Sequence, residues 1–470
     1  MSTREAAVGG ALAAFEDGGF TRQLAALVAI PSTSQEAEGA PALTAYLAEA
    51  IAPWLGRLGF ETAIHANPVA GCGPILTATR IEDAALPTVL TYGHGDTVRG
   101  LAEQWHEGRD PWVLRAEGDR WYGRGTADNK GQHAINIAAL AAVLAARGGR
   151  LGFNLKLLIE TGEERGSPGL RDFVAAHRDL LAADVLIGSD GPRVAPDRAT
   201  IATGTRGTFH FDLAVTLRQG GMHSGHWGGI AADPAIVLAH AIASIADRHG
   251  RILVRDWLPR QGGQTGLAPA VRALLADCPV EGGEKIDPNW GEPGLSSAEK
   301  IYGWNSFIVL AMQSGRPENP VNAVAPDARA HCQIRYTVDT DPATFAAALR
   351  AHLDAAGFPE VAIEKQGVRM AASRTDPDHP WVRFAAASMA KTLTAPVQII
   401  PNSSGGLPGD VFVDLLGLPL VWIPHSYNGC GQHGPDEHVL APVVREALAA
   451  MAGLWWDIGE QAASLPSRNA

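Results

Sequence analysis

Apolar positions along this chain follow two different rhythms, and the change between them divides it. Up to about residue 200, short unbroken apolar runs alternate with segments whose apolar residues recur every three or four positions. LPTVLTYGH (86–94), LKLLIE (155–160) and ADVLIGSD (183–190) are of the first kind. They are too short for helices and predict strands buried on both faces. GAPALTAYLAEAIAPWLGRLG (39–59) and KGQHAINIAALAAVLAARGG (130–149) have helical spacing and stop at glycine, and a further helix is predicted near 168–181. Strands alternating with helices predict an α/β fold: a mostly parallel sheet with helices on both faces.

After about residue 200 the period changes to two. GTRGTFHFDLAVTLRQ (204–219) alternates as a half-exposed antiparallel strand does. A helix over 233–250, a strand within 322–339, a helix over about 341–356 and a strand near 360–366 complete a smaller α+β unit. Residues 280–304 lack periodicity and read as a long loop. From about 376 the first rhythm returns, with a helix in PWVRFAAASMAKTL, a strand in LPLVWIPH (418–425) and a long helix over 441–463. The expected organisation is therefore one α/β domain, 1–203 and 373–470, interrupted by an inserted α+β domain, 204–372. No internal repeat or low-complexity linker is visible.

Composition narrows the function classes. With 470 residues, 46% of them hydrophobic, the chain can sustain more than one core. Its net charge of -12 argues against nucleic acid or an anionic membrane as partner. No apolar run approaches the roughly 20 residues that span a bilayer. The opening MSTREAAVGGALAAFEDGG carries Glu5, Glu16 and Asp17 and lacks the marks of a signal peptide. Four cysteines without C-x-x-C spacing read as reduced thiols, so a cytoplasmic location is expected.

In an open α/β sheet, ligands gather at the carboxyl ends of the strands. Those ends carry a consistent set here. LTYGHGD ends in His94 and Asp96, and GRGTADNKG puts Asp128 in a glycine-rich loop before a helix. LLIETGEE presents Glu163 and Glu164, VLIGSD ends at Asp190, and the late strand leads to His433, with His425 and His438 as rivals. Singly, each has an ordinary reading, such as a helix N-cap for Asp128 or a solvated loop edge for the two glutamates. Together they offer imidazoles and hard oxygens and no thiolate, which suits two zinc, manganese or cobalt ions. A shared carboxylate would hold such ions about 3.5–4 Å apart. The adjacent glutamates then make sense: one binds a metal, and the other stays free to take a proton from an activated water.

GHGDTV, GRGTADNKG, TGEERGS, the strand-terminal Asp190 and QHGPDEH together resemble the di-zinc metallopeptidase family of carnosinases and other cytosolic dipeptidases, glutamate carboxypeptidase, acetylornithine deacetylase and succinyl-diaminopimelate desuccinylase. The resemblance runs over nearly the whole chain. It implies that His94 and Asp190 bind one zinc, Glu164 and His433 the other, and Asp128 both, with a strained peptide bond on to Asn129. It implies Asp96 as the residue orienting His94, and Glu163 as general base and acid. GGMHSGHWGG (220–229) resembles the family's H-S-G segment. That implies a homodimer through the inserted lid domain, with His223 stabilising the oxyanion of a neighbouring subunit; His226 is a local rival. Arg335, in CQIRYTV, resembles the arginine that holds a substrate carboxylate. Asn322 is a further substrate contact, and Arg206 reads as structural.

One stretch departs from the family. In NSSGGLPGD (402–410), Gly405 and Gly406 are assigned to substrate binding, but Leu407 follows where dipeptidases tend to carry a hydroxyl. The expected activity is hydrolysis of an amide bond in a small peptide, dipeptidase-like. The alternatives are an N-acyl-amino-acid deacylase and, in a different class, a non-catalytic metal-binding homodimer that binds a peptide or partner. GRGTADNKG lacks the G-x-G-x-x-G and P-loop patterns, which removes nucleotide chemistry.

Overall fold

The short apolar runs become the middle of an eight-stranded sheet. A computed structural model of the chain describes residues 2–467. The strand order is Glu61–His65, Ile75–Arg80, Asn154–Glu160, Thr88–His94, Val185–Gly188, Leu420–Trp422, Thr200–Ala202 and Gln398–Ile400. The central Asn154–Glu160, Thr88–His94, Val185–Gly188 and Leu420–Trp422 run parallel, as does the outer pair Thr200–Ala202 with Gln398–Ile400. The other neighbours pair antiparallel, so the sheet is parallel where it is most buried.

Alternation along the central strands separates two apolar faces. Val89, Leu155, Leu157, Ile159, Val185, Ile187 and Val421 join one core with the helices Arg4–Glu16, Lys130–Ala146, Pro380–Ala390 and Ala441–Gln461. On the opposite face, Tyr92 meets Phe412 of the helix Gly409–Leu416 and Trp422 edge-on. Gly93 is needed for the helix Lys130–Ala146 to close on its strand: a Cβ there would stand 2.8 Å from His133 Cβ. The helical stretch expected over 39–59 forms in three pieces, with a wide π-type segment at Tyr46–Ile51. Pro53 cannot donate to the carbonyl four residues earlier, which is where the ladder changes pitch.

The chain forms two compact units, one of Met1–Gly204, Cys278–Glu281 and Arg374–Ala470, the other of Thr205–Asp277 and Gly282–Ser373. The second unit holds a four-stranded antiparallel sheet in the order Ser306–Ser314, Asp327–Tyr336, Gly207–Thr216, Ala362–Met370. Phe209, Phe211 and Leu213 pack with Leu238 and Ile245 of the helix Pro234–Ile245 and with Phe345 and Leu349 of Phe345–Ala355. Periodicity did not announce Ser306–Ser314. It is an edge strand whose Ile308, Val309, Leu310 and Met312 are apolar yet exposed. Nor is 280–304 wholly irregular, because Ser296 and Glu299 form a capping box that starts the helix Ser297–Tyr302. Among the described residues, no helix is long and apolar enough to cross a membrane.

Candidate metal centre

The carboxyl ends of the central strands and the loops beside them place two imidazoles among five carboxylates. His94 is the last residue of Thr88–His94 and is fully buried. Its Nε2 lies 3.0 Å from Asp128 Oδ1 and 3.7 Å from Asp190 Oδ2. His433 Nε2 lies 3.3 Å from Asp128 Oδ2 and 3.1 Å from Glu164 Oε2. Two groups able to hold an ion result, His94–Asp128–Asp190 and Asp128–Glu164–His433, with all ligand atoms of each group within 4.8 Å of one another. Asp128 belongs to both, offering one oxygen to each imidazole. Glu163, one residue earlier than Glu164, belongs to neither group.

Each loop is held by its neighbours. His94 Nδ1 lies 3.0 Å from the Asp96 carbonyl and 3.4 Å from its Oδ1. The Asp96 carboxylate also accepts the backbone N–H groups of Glu163 and Glu164, at 3.2 and 3.1 Å. One buried aspartate therefore fixes the His94 ring and the turn that aims both glutamates. The Asp128–Asn129 peptide is cis. His433 sits in the left-handed region at φ 61°, uncommon for a residue with a Cβ.

The electrostatics of this cluster are unbalanced. Burial pushes the Asp190 carboxyl up to about 6 and Glu164 to about 7, and raises Glu163 well above the usual range. Burial also works to raise Asp128, but hydrogen bonds with His433 and His94 outweigh it and hold that carboxyl well below its ordinary value. Hydrogen bonds to Asp128 and Glu164 push His433 up to about 11. Burial works to lower His94, and the carboxylates around it win, raising it well above an ordinary imidazole. Two imidazoles cannot neutralise so many buried carboxylates. The Asp190 Oδ2 atom, buried and without a hydrogen-bond partner, faces the cluster beside His94. Hard-oxygen and imidazole donors with a charge deficit fit divalent cations such as zinc, manganese or cobalt.

The two rival histidines lie elsewhere. His425 is buried with Nε2 3.0 Å from Ser189 Oγ, and burial holds it well below its ordinary pKa. His438 shares a hydrogen bond of 2.7 Å with the Tyr427 hydroxyl. The Gly405–Gly406 loop lies beside the turn after Asp190: Ser403 donates its N–H to the Gly204 carbonyl, and a Cβ on Gly191 would stand 3.1 Å from Ser403 Oγ. In the second unit, His223 and Asn322 come together, because His223 pairs with Ala323 and Ser224 N–H donates to the Asn322 carbonyl at 3.0 Å. The His223 ring stacks on His226 at 4.3 Å. Arg335 is half-buried opposite Thr208, its Nε donating to Gln333 Oε1 at 3.2 Å. Arg206 is buried nearby, and burial followed by the Arg335 charge brings it down to about 9.

Several residues that hold the site were not singled out from the sequence. The Glu437 carboxylate is 1% exposed and accepts four hydrogen bonds, from Arg124 Nη1 at 2.8 Å and from the N–H groups of Gly125, Ala127 and Asp128 at 2.9–3.0 Å. Arg124 is itself fully buried. The only signal in the sequence was an acidic residue inside QHGPDEH, next to the more conspicuous histidines. The role of the Asn129 side chain is also missed, although its peptide bond is named. Its Nδ2 donates to the Ser189 carbonyl at 2.8 Å, and its Oδ1 lies 3.4 Å from the His94 N–H.

Residues 90–457 match the sequence profile of peptidase family M20/M25/M40. The cysteinylglycine-S-conjugate dipeptidase of Corynebacterium striatum is 29% identical over 358 residues, 75% of this chain and 76% of that protein. The beta-Ala-His dipeptidase of Homo sapiens is 35% identical over 184 residues, a match spanning 38% of this chain and only 36% of that protein. The crystal structure of human carnosine dipeptidase 1 superposes with a TM-score of 0.79 at 21% identity, covering 96% of this chain and 99% of that one, a likeness of fold.

Proposed function

This chain belongs to peptidase family M20/M25/M40, and on that premise we propose that it is a di-metal dipeptidase that cleaves the amide bond of a small peptide. The observation that carries this reading is the pair of ligand groups sharing Asp128, with the Glu163 carboxyl beside them and in neither group. His94, Asp128 and Asp190 would hold one ion, and Asp128, Glu164 and His433 the other, with zinc as the native metal. The chemistry that such a pair supplies when bound is acidification of a water and polarisation of the scissile carbonyl.

The chain's own residues do the rest. Glu163 takes a proton from the water as its oxygen attacks the carbonyl carbon. It then delivers that proton to the departing nitrogen as the C–N bond breaks. Desolvation raises the Glu163 carboxyl above the ordinary carboxylate range, which makes it a better proton acceptor than an exposed glutamate. Asp96 keeps the turn carrying Glu163 in register with His94. Arg335 receives the substrate carboxylate, and Asn322 with the Gly405–Gly406 loop contacts the rest of the substrate.

The test is hydrolysis by protein stripped with chelator and reloaded with zinc, manganese or cobalt. The substrates are dipeptides alongside N-acetyl and N-succinyl amino acids. Dipeptide cleavage that needs added metal is expected. Cleavage of the N-acyl substrates alone would replace the peptidase reading with a deacylase. Two bound metals with no turnover of either class would favour a binding protein.

The inserted unit serves as lid and dimerisation surface in this reading, and the protein works in the cytoplasm. An exposed apolar edge strand, Ile308 to Met312, supports self-association, since such edges are normally covered. His223 would stabilise the oxyanion of the partner's site. Mixing His223→Ala protein with Glu163→Ala protein, each inactive alone, should restore about a quarter of wild-type activity by statistical exchange of subunits. Mixtures that stay inactive after demonstrated exchange would refute catalysis across subunits.

A further inference from the structure

The helix Lys130–Ala146 is almost wholly apolar where it faces the sheet, yet it begins with a buried polar stripe. Asn129, Gln132, His133 and Asn136 recur at helical spacing, and each is at most 3% exposed. Their partners are not scattered. Asn129 holds Ser189 and lies beside His94 N–H, while Asn136 Nδ2 donates to Ser189 Oγ at 2.9 Å. His133 Nδ1 meets Asn129 Oδ1 at 3.1 Å, and its Nε2 meets the Tyr46 hydroxyl at 2.6 Å. The stripe is therefore tied to backbone next to the residues that form the metal groups.

Gln132 has the most pointed position in it. Its Nε2 donates one hydrogen to the Ala127 carbonyl at 2.8 Å and the other to the Gly191 carbonyl at 3.3 Å. Ala127 directly precedes Asp128, and Gly191 directly follows Asp190. Its Oε1 accepts the His425 N–H at 2.7 Å, fixing the amide's orientation. One planar amide thus sets the spacing between two loops from distant parts of the chain. Glu164 and His433, which complete the other metal group, have no bond to Gln132.

We infer that Gln132 is a positioning residue that sets the distance between Asp128 and Asp190, and so tunes the His94–Asp128–Asp190 ion more strongly than the Asp128–Glu164–His433 ion, which shares only Asp128. This rests on the two-metal reading above. A residue that merely filled the core would affect stability and leave the two ions alike.

The experiment titrates metal-free full-length protein with zinc by competition against a chelating dye, and with cobalt by its visible absorption. The wild type, Gln132→Met and Gln132→Glu are compared with Asn154→Ala. Asn154 is buried in the same sheet and its side chain binds the backbone of Glu82, Asp83 and Leu86, away from the site. Gln132→Met keeps the length of the side chain and removes all three bonds. Gln132→Glu keeps the acceptor for His425 N–H and replaces the double donor. In both Gln132 variants the ion that Asp190 helps to hold should bind about 10–100-fold more weakly, with a changed cobalt spectrum, while the other, which shares only Asp128 with it, should weaken less. Asn154→Ala should lower the melting temperature and leave both affinities and the spectrum as in wild type. If Gln132→Met does not fold, Gln132→Glu carries the comparison. Gln132 variants that retain both affinities and the wild-type spectrum overturn the inference, as does equal weakening of both ions. A wild type that fails to bind two ions overturns the two-metal reading, and the inference falls with it.

Discussion

Glu163→Gln should retain both metal ions and lose about 10²–10⁴-fold in kcat. Glutamine matches the carboxyl in size but cannot accept the water's proton. Because Glu163 lies in neither ligand group, the swap removes proton transfer and leaves the donor set whole. Glu164→Gln supplies the contrast. Its carboxylate stands 3.1 Å from His433 Nε2 within the second group, so that change should weaken an ion as well as turnover. Activity and metal content measured on the same preparations separate the two. Glu163→Gln protein that keeps a tenth or more of wild-type kcat, or that loses an ion, would remove Glu163 from the proton-transfer role.

Glu437→Ala should destabilise the fold by about 3–5 kcal/mol although Glu437 is not itself a ligand. The substitution leaves the Arg124 guanidinium buried without its carboxylate, and frees the N–H groups of Gly125, Ala127 and Asp128. Uncompensated burial of a charge accounts for most of that cost. The loop carrying Asp128 also loses its anchor, so metal affinity should fall about 10–100-fold, at both ions because Asp128 is common to both groups. Denaturant unfolding of metal-free protein reads the first effect and competition titration the second. A loss under about 1 kcal/mol would mean that water or a neighbouring carboxylate replaces Glu437 beside Arg124. The double variant Glu437→Ala with Arg124→Met should recover part of the stability, because it removes the stranded charge.

Part of this molecule is decided by local sequence. The central strands bury both faces, so their apolar runs are unbroken and recognisable without a structure, and so is the change to period two at the inserted unit. The chemistry-bearing residues were legible for a related reason. A parallel sheet delivers its strand ends to one edge, so ordering the ends of five segments gathered His94, Asp128, Glu163, Glu164 and Asp190, and left His433 beside His425 and His438 until the family resemblance singled it out. The edge strand Ser306–Ser314 was not legible, because its exposed apolar residues break the alternation used to find strands.

Which groups meet follows from the residues themselves only through the family resemblance; the physical cause lies in the tertiary structure. Adjacent glutamates are equivalent in sequence. They differ because the turn after Glu160, gripped by Asp96, brings Glu164 to His433 and leaves Glu163 outside both groups. Glu437 and Gln132 act through backbone carbonyls and N–H groups contributed by residues hundreds of positions away or on another loop. Such partners carry no side-chain identity, so no pattern of residue types records them. The sequence by itself determined the order of elements and the candidate donors, because burial period and ligand chemistry are local properties. The distances that make the donors into two sites arise from packing between segments far apart in the chain, and they exist only in the folded protein.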